Sequence, residues 1–344
     1  MSGVSSTAPD GPTVADAGER ELVRRVRQRA GTPPPFVLVG IGDDAAVVEP
    51  MRGALDIVTT DALVEHVHFR RDWTAPSAIG AKAVAVNFSD LAAMGAEPRA
   101  VTLSLVLPPA LTLADFDALV DGVADACAAA GAALVGGNIA RSPGPLVVDI
   151  TAMGAAKRRR ILRRAGGRAG DALYVTGSVG GAAAGLAILQ SGADRAALDV
   201  ESAACVARYE RPVARLRCGR MVAARRAASA CMDLSDGLAD AVRQIAEASG
   251  TGAEIDGTTI PLQSGAASWL ARGGVDPIEA ALAGGEDYEL LFAVPARRRK
   301  AFLAAVRHGG SLPATPIGRL TRDRALRLVR AGVETTLNSG FSHF

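Results

Sequence analysis

The chain has 344 residues, 49% hydrophobic and 22% charged, with 38 Lys and Arg against 36 Asp and Glu for a formal net charge of +2. That length and apolar content supply a full core for one large or two ordinary domains and exclude disorder over most of the chain. A near-neutral balance excludes the basic surplus that a dedicated nucleic-acid binder gathers on one face. The four cysteines, Cys127, Cys205, Cys218 and Cys231, stand at no metal-ligand spacing and follow no secretory leader. A disulfide framework or structural zinc is therefore not expected, and the chain reads as cytoplasmic.

In chain order, residues 1–18 are rich in Ser, Thr, Pro, Ala and Asp and read as a disordered tail. A β-branched alternation over 55–60 ends on Asp61. Helical spacing follows over 78–94, with Ser77 as N-cap and Gly95 just past the end. A strand over 101–107 closes on Pro108-Pro109, and a helix over 112–130 starts at Thr112 with Asp115 in the capping-box position. Strands over 133–135 and 146–151 flank a loop at Arg141, Ser142, Pro143 and Gly144.

The cationic run 157–164, followed by Gly166 and Gly167, marks a domain boundary. Beyond it come a strand over 172–176, a helix after Gly181, helices over 213–229, 238–249 and 296–308, and short strands over 230–233, 253–256, 290–294 and 326–329. This predicts a two-domain α+β chain: the tail 1–18, a domain over 19–156 and a domain over 157–344. Residues 172–193 carry no charge and are long enough to span a bilayer. Gly177, Ser178, Gly180, Gly181, Gly185 and Gln190 interrupt them, so they read as strand, turn and buried helix, and no membrane association is expected.

Carboxylates recur where apolar strands end or helices begin: Asp43-Asp44, Asp61, Asp90, Asp233 with Asp236, and Glu286-Asp287. Each taken alone has a plain reading as a helix cap or Asx-turn. The adjacent pair Asp43-Asp44 is costlier, because like charges repel unless a cation lies between them. Scattered single carboxylates suit Mg²⁺, which binds through one or two of them plus substrate phosphates. No lysine follows a Walker A glycine pattern and the protein-kinase signature is missing, so ATP use here would need another architecture. Gly136-Gly137 and Gly180-Gly181 each follow a strand, where bare backbone N–H groups could cradle phosphate or simply make a tight turn. Arg164 could clamp phosphate or be a solvated charge, and His68 could touch a phosphate or pack structurally.

The order of these pieces carries more than any one of them. Residues 40–45 (Gly-Ile-Gly-Asp-Asp-Ala), Thr60-Asp61-Ala62-Leu63-Val64 with His68-Phe69, and residues 85–96 around Asn87-Phe88-Ser89-Asp90 resemble the N-terminal half of the thiamine-monophosphate kinase family. Tyr174-Val175-Thr176-Gly177, residues 232–238 around Asp233-Leu234-Ser235-Asp236-Gly237, and residues 283–290 around Glu286-Asp287-Tyr288 resemble its C-terminal half in the same order.

The resemblance implies phosphoryl transfer from ATP to thiamine monophosphate with several Mg²⁺ ions. It also implies an N-terminal α+β domain that dimerises through its sheet into a homodimer, and a C-terminal α/β sandwich. By motif match, Asp44, Asp61, Asp90, Asp233 and Asp236 are expected as magnesium ligands, with Thr59 and Thr60 in the same metal site; Asp44, Asp90 and Asp236 are expected to matter most for catalysis. Gly137, Asn138, Arg164 and Ser235 are expected to face the nucleotide, and His68, Glu286 and Phe341 the thiamine substrate. One departure stands out: the family's Gly-Gly-Asp-Thr is Gly136-Gly137-Asn138-Ile139 here, so a metal-binding carboxylate is replaced by an amide. Asn138 is expected to act as a neutral carbonyl ligand. The alternatives are a catalytically weak thiamine-phosphate or nucleotide-binding protein, or another activity of the same superfamily such as aminoimidazole ribonucleotide synthetase. The superfamily's selenophosphate synthetase and hydrogenase maturation protein need a Cys near one terminus, which this chain does not have at the matching places.

Overall fold

The computed structural model describes residues 11–337. The chain divides into two compact units. The first comprises the chain up to Arg52 with Val58–Asn87 and Pro98–Met153; the second comprises Gly53–Ile57, Phe88–Glu97 and everything from Gly154.

The first unit holds a short antiparallel ribbon, β1 (Val37–Val39) with β2 (Val47–Val48). It also holds most of a four-stranded sheet of β3 (Leu55–Val64), β4 (Glu97–Leu107), β5 (Ala133–Arg141) and β6 (Val147–Ala156), in the order β3-β6-β4-β5. β4 and β5 are parallel, which demands a crossover, and helix Leu113–Ala129 provides it. Burial alternates along β4 and β6, so one sheet face is packed and the other carries Thr102, Ser104, Asp149 and Thr151. Helix Pro76–Ala93 crosses Leu113–Ala129 at glycine contacts: a Cβ on Gly80 would lie 2.1 Å from the Leu119 carbonyl oxygen, and one on Gly122 2.0 Å from that of Ser77. This helix starts at Pro76, a residue suited to a first helical turn, so Ser77 lies inside it rather than capping it.

The tail expected over 1–18 is corrected at its end. Thr13 caps a short helix, Val14–Ala17, with Asp16 closing the capping box, and Val14 is buried. The Val14 amide donates to the Leu111 carbonyl, so packing holds a segment whose composition alone suggests disorder.

In the second unit, β7 (Ala172–Thr176), β8 (Ala230–Asp233), β9 (Gly252–Asp256), β10 (Leu290–Val294), β11 (Ala314–Thr321), β12 (Leu326–Arg330) and β13 (Val333–Thr336) form one sheet, ordered β13-β12-β9-β11-β7-β10-β8. Its central strands are apolar on both faces. Leu173, Val175, Leu291, Ala293 and Met232 face a core shared with helix Leu238–Ser249. Tyr174, Phe292, Val294 and Cys231 face the opposite core with helices Leu216–Arg225 and Arg299–His308. Helices on both faces explain why these strands read as continuous apolar runs. No described helix is long and apolar enough to cross a membrane.

Candidate functional site

The second unit draws three of the sequence motifs together. β8 ends on Asp233, which is 2% exposed and accepts a hydrogen bond from the buried Ser89 hydroxyl at 2.7 Å. Ser89 and the half-buried Asp90 are consecutive on the last turns of helix Pro76–Ala93. After β8 the chain runs beside the Gly284–Glu289 stretch: the Leu234 amide donates to Glu289, and the amides of Tyr288 and Glu286 donate to Leu234 and Ser235. A Cβ on Gly285 would stand 2.3 Å from the Ser235 oxygen, so glycine permits this closeness. Ser235 and Asp236 stay half-buried, with the Ser235 hydroxyl 3.4 Å from Asp236 Oδ2. Glu286, also half-buried, has φ +68°, a left-handed conformation for a non-glycine residue.

Around Glu286 lies a buried network that sequence reasoning did not find. Asp287 is 4% exposed; its carboxylate accepts the amide of Gly180 at 2.6 Å and that of Ala182 at 3.1 Å. The N-terminus of helix Gly181–Gln190 is thus satisfied by the protein's own anion, and Gly180-Gly181 is not an open phosphate cradle. Arg208 bridges Asp287 at 3.2 Å and Glu289 at 2.8 Å. Fully buried Glu289 also accepts from Arg215 and, at 2.6 Å, from the Thr176 hydroxyl. Burial pushes the Asp287 carboxyl above the ordinary range, against the pull of Arg208 and the two amides. Burial, then the charge of Glu286, pushes the Tyr209 phenol up. The Glu-Asp-Tyr-Glu run therefore splits by function: Asp287 and Glu289 build the frame, and Glu286 is held beside Ser235. Arginines spaced seven apart at 208 and 215 supply the cations of that frame.

In the first unit, Asp43 and Asp44 lie exposed in the β1–β2 connection, with Asp43 Oδ1 accepting the Asp44 amide at 2.9 Å. Thr59, Thr60 and Asp61 occupy β3. The Thr60 hydroxyl meets Asp149 Oδ1 at 3.2 Å and the Thr151 hydroxyl at 3.2 Å on β6. The alternation Val148, Asp149, Ile150, Thr151 marks Asp149 as facing outward beside Thr60. Exposed Asp61 accepts on its backbone carbonyl from Asn87 Nδ2 at 3.4 Å, and Asn87 Oδ1 is buried without a protein partner. His68 Nδ1 accepts the Val64 amide at 3.1 Å, which puts the proton of the neutral ring on Nε2, and Lys82 Nζ donates to the His68 carbonyl at 3.1 Å.

The turn expected at Gly136-Gly137 is corrected: both glycines lie within β5, across from Thr102 and Leu103 of β4, where the register shifts. A Cβ on Gly137 would sit 1.8 Å from the Leu103 oxygen, so the need for glycine here is close strand approach. Exposed Asn138 pairs in register with Ser104.

Arg164, in the second unit, is exposed and hydrogen-bonded to Gln244, itself tied to Asp240 at 2.5 Å. Phe341 lies outside the described residues. Among the described residues no three His, Cys, Asp or Glu side chains are grouped closely enough to hold a metal ion. The donors present are hard oxygens in ones and twos, a set suited to Mg²⁺ that completes its shell with water and phosphate.

Comparison with known proteins gives two matching family models, the N-terminal domain of AIR synthase related protein over residues 42–156 and its C-terminal domain over 168–330. The thiamine-monophosphate kinase of Escherichia coli (strain K12) is 39% identical over 95% of this chain and 98% of its own length. The crystal structure of thiamine-monophosphate kinase from Stenotrophomonas maltophilia K279a matches with a TM-score of 0.79 at 37% identity, covering 89% of this chain and 95% of that one. AaThiL complexed with AMPPCP and TMP matches with a TM-score of 0.75 at 32% identity, over 96% of this chain and 98% of that one.

Proposed function

This chain belongs to the thiamine-monophosphate kinase family, and we infer that it transfers the γ-phosphoryl group of ATP to thiamine monophosphate, giving thiamine diphosphate and ADP. The observation that carries this reading is the 33–39% identity, over most of the chain, to thiamine-monophosphate kinases. The acceptor is already an anion at neutral pH, so direct in-line attack needs no strong general base. Catalysis then rests on aligning two anions against their repulsion, and Mg²⁺ when bound supplies the neutralising charge.

The magnesium ligands we propose are Asp44, Asp61, Asp90, Asp233 and Asp236, with Thr59, Thr60 and the amide oxygen of Asn138. Their oxygen chemistry supports this, as does the orphaned Asn87 Oδ1 beside Asp61, a buried acceptor that a water or a hydrated ion would satisfy. Ser235, Gly137 and Arg164 are proposed to face the nucleotide, and His68 and Glu286 the thiamine phosphate. For Glu286 the support is its tethering by the buried Asp287–Arg208–Glu289 frame. A homodimer formed through the N-terminal sheet is proposed as well, supported by the 62% exposure of Val58 on edge strand β3.

The test is a coupled assay of ADP release with thiamine monophosphate as acceptor, beside calorimetric binding of both substrates. Turnover dependent on thiamine monophosphate is the expected result. Binding of both without turnover would sink the kinase reading in favour of a binding protein. Asp44→Asn, Asp90→Asn and Asp236→Asn are each expected to cut turnover by orders of magnitude while the far-ultraviolet circular dichroism is unchanged.

A further inference from the structure

We propose that a basic depression in the second unit is a binding site for a small anion carrying a chain of two or three phosphates. The depression, about 450 Å³, is lined by Lys157, Arg158, Arg159, Arg160 and Arg226 with Ala224 as its apolar member. All five cations are exposed, and among the described residues none makes an ion pair or a side-chain hydrogen bond. Elsewhere in the same unit some surface arginines have carboxylates, Arg195 with Glu210, Arg319 with Glu254, Arg327 with Asp323 and Arg330 with Asp276, while others such as Arg217, Arg225, Arg297 and Arg322 stand singly without one among the described residues. What sets these five apart is that they converge on one hollow with no acidic side chain among its lining residues.

The backbone supports the same conclusion. Arg226 follows helix Leu216–Arg225 in a left-handed conformation, φ 49° and ψ 43°, where glycine is favoured. A basic residue there suits the partial negative charge of the helix end, but that accounts for Arg226 alone and not for the four cations of the facing segment. Three of those four form a single 3₁₀ turn, Arg158–Arg160, with Lys157 as its N-cap, and the Arg160 amide closes it on the Lys157 carbonyl at 2.7 Å. The turn is anchored by buried Leu162, whose amide donates to the Met94 carbonyl at 3.1 Å, so the hollow is formed before anything binds.

Guanidinium forks match phosphate oxygens, and the volume suits a small molecule. No aromatic side chain lines the hollow for base stacking, and one alanine gives no apolar wedge for a lipid surface. Those absences favour a small phosphate chain over a nucleic acid or a membrane.

The probe is inorganic tripolyphosphate, titrated calorimetrically into the full chain at constant free Mg²⁺, with AMPPCP and thiamine monophosphate saturating the substrate sites. One tripolyphosphate per chain is expected to bind still, more weakly as salt rises. Arg158→Gln with Arg159→Gln, and separately Arg226→Gly, should each weaken it roughly tenfold or more with kinase activity retained. Arg226→Gly relaxes the left-handed backbone, so its loss of binding cannot come from misfolding. Abolition of binding by the saturating substrates overturns the proposal, because the anion then occupies the substrate site. Unchanged affinity in both variants overturns it also, and so does preferential binding of a single-stranded oligonucleotide of about 20 residues, which replaces the small anion with nucleic acid.

Discussion

Ser89 donates a hydrogen bond to Asp233 at 2.7 Å, across 144 residues of sequence, with both side chains buried. Two motifs that look independent along the chain are thereby one piece of the second unit. Asp233 has a fixed donor on one oxygen, and its neighbours Ser235 and Asp236 follow in a loop zipped to the Glu286 segment. Local order here comes from a helix end, a strand end and a loop that bind each other's backbone.

Ser89→Ala removes the donor and leaves a buried carboxylate short of a partner. A hydrogen bond to a charged group is worth about 1.5–3 kcal/mol, so the urea midpoint should fall accordingly. If Asp233 ligates magnesium, the Mg²⁺ concentration for half-maximal activity should move as well, because the carboxylate loses its orientation. A stability loss with unchanged Mg²⁺ dependence would make Asp233 a structural residue.

Glu289 holds Arg208, Arg215 and Thr176 at once while fully buried. Glu289→Ala takes the carboxylate from mostly buried Arg215 and leaves Arg208 with Asp287 alone, a change of about 3–5 kcal/mol. Glu289→Gln keeps the shape and should cost less. Denaturant unfolding of the two variants separates loss of charge from loss of packing, and equal stability of Glu289→Ala and the parent chain would remove the frame we assign to it.

Much of this was legible in the sequence, and the exceptions have physical causes. The apolar strands at 172–176, 230–233 and 290–294 were plain because a sheet covered on both faces leaves no polar alternation to confuse. β11 is not legible in the sequence, since Pro316 and Gly318 break its pattern, and the structure has a register shift between them. β5 was cut short at Gly136-Gly137 for a similar reason: glycine signals a turn, but here it admits the neighbouring backbone. Helices Val200–Glu210 and Ser264–Arg272 also went unread; alanine-rich and short, they pack against one another and against Gly181–Gln190. At the site, Asp287 and Glu289 passed for members of an acidic motif because their partners at 180, 208 and 215 come from distant segments.

The thiols supply a pH test. Burial pushes Cys127 and Cys218 up to about 12 and Cys205 up to about 11, and Cys231, wholly buried, also well above its ordinary value. Only the thiolate reacts, so at pH 8 on the order of 0.1% or less of each native thiol is competent. Iodoacetamide at pH 8 should leave the native chain unmodified and label all four cysteines in urea. Rapid native labelling of any one would contradict the burial and reopen a cysteine-based chemistry.

Asn138 is exposed on β5, in register with Ser104, where the family motif carries Asp. If the amide oxygen serves as a neutral magnesium ligand, Asn138→Asp adds one negative charge to that ion's shell and should tighten its hold. The expected outcome is a lower Mg²⁺ concentration for half-maximal turnover and tighter ATP binding, with the fold unchanged because the two side chains are nearly isosteric. Thermal unfolding without ligand should match the parent, which isolates the effect to the metal. Should neither Mg²⁺ dependence nor ATP affinity move, position 138 stands away from the metals, and the neutral amide is a tolerated surface residue on an edge strand.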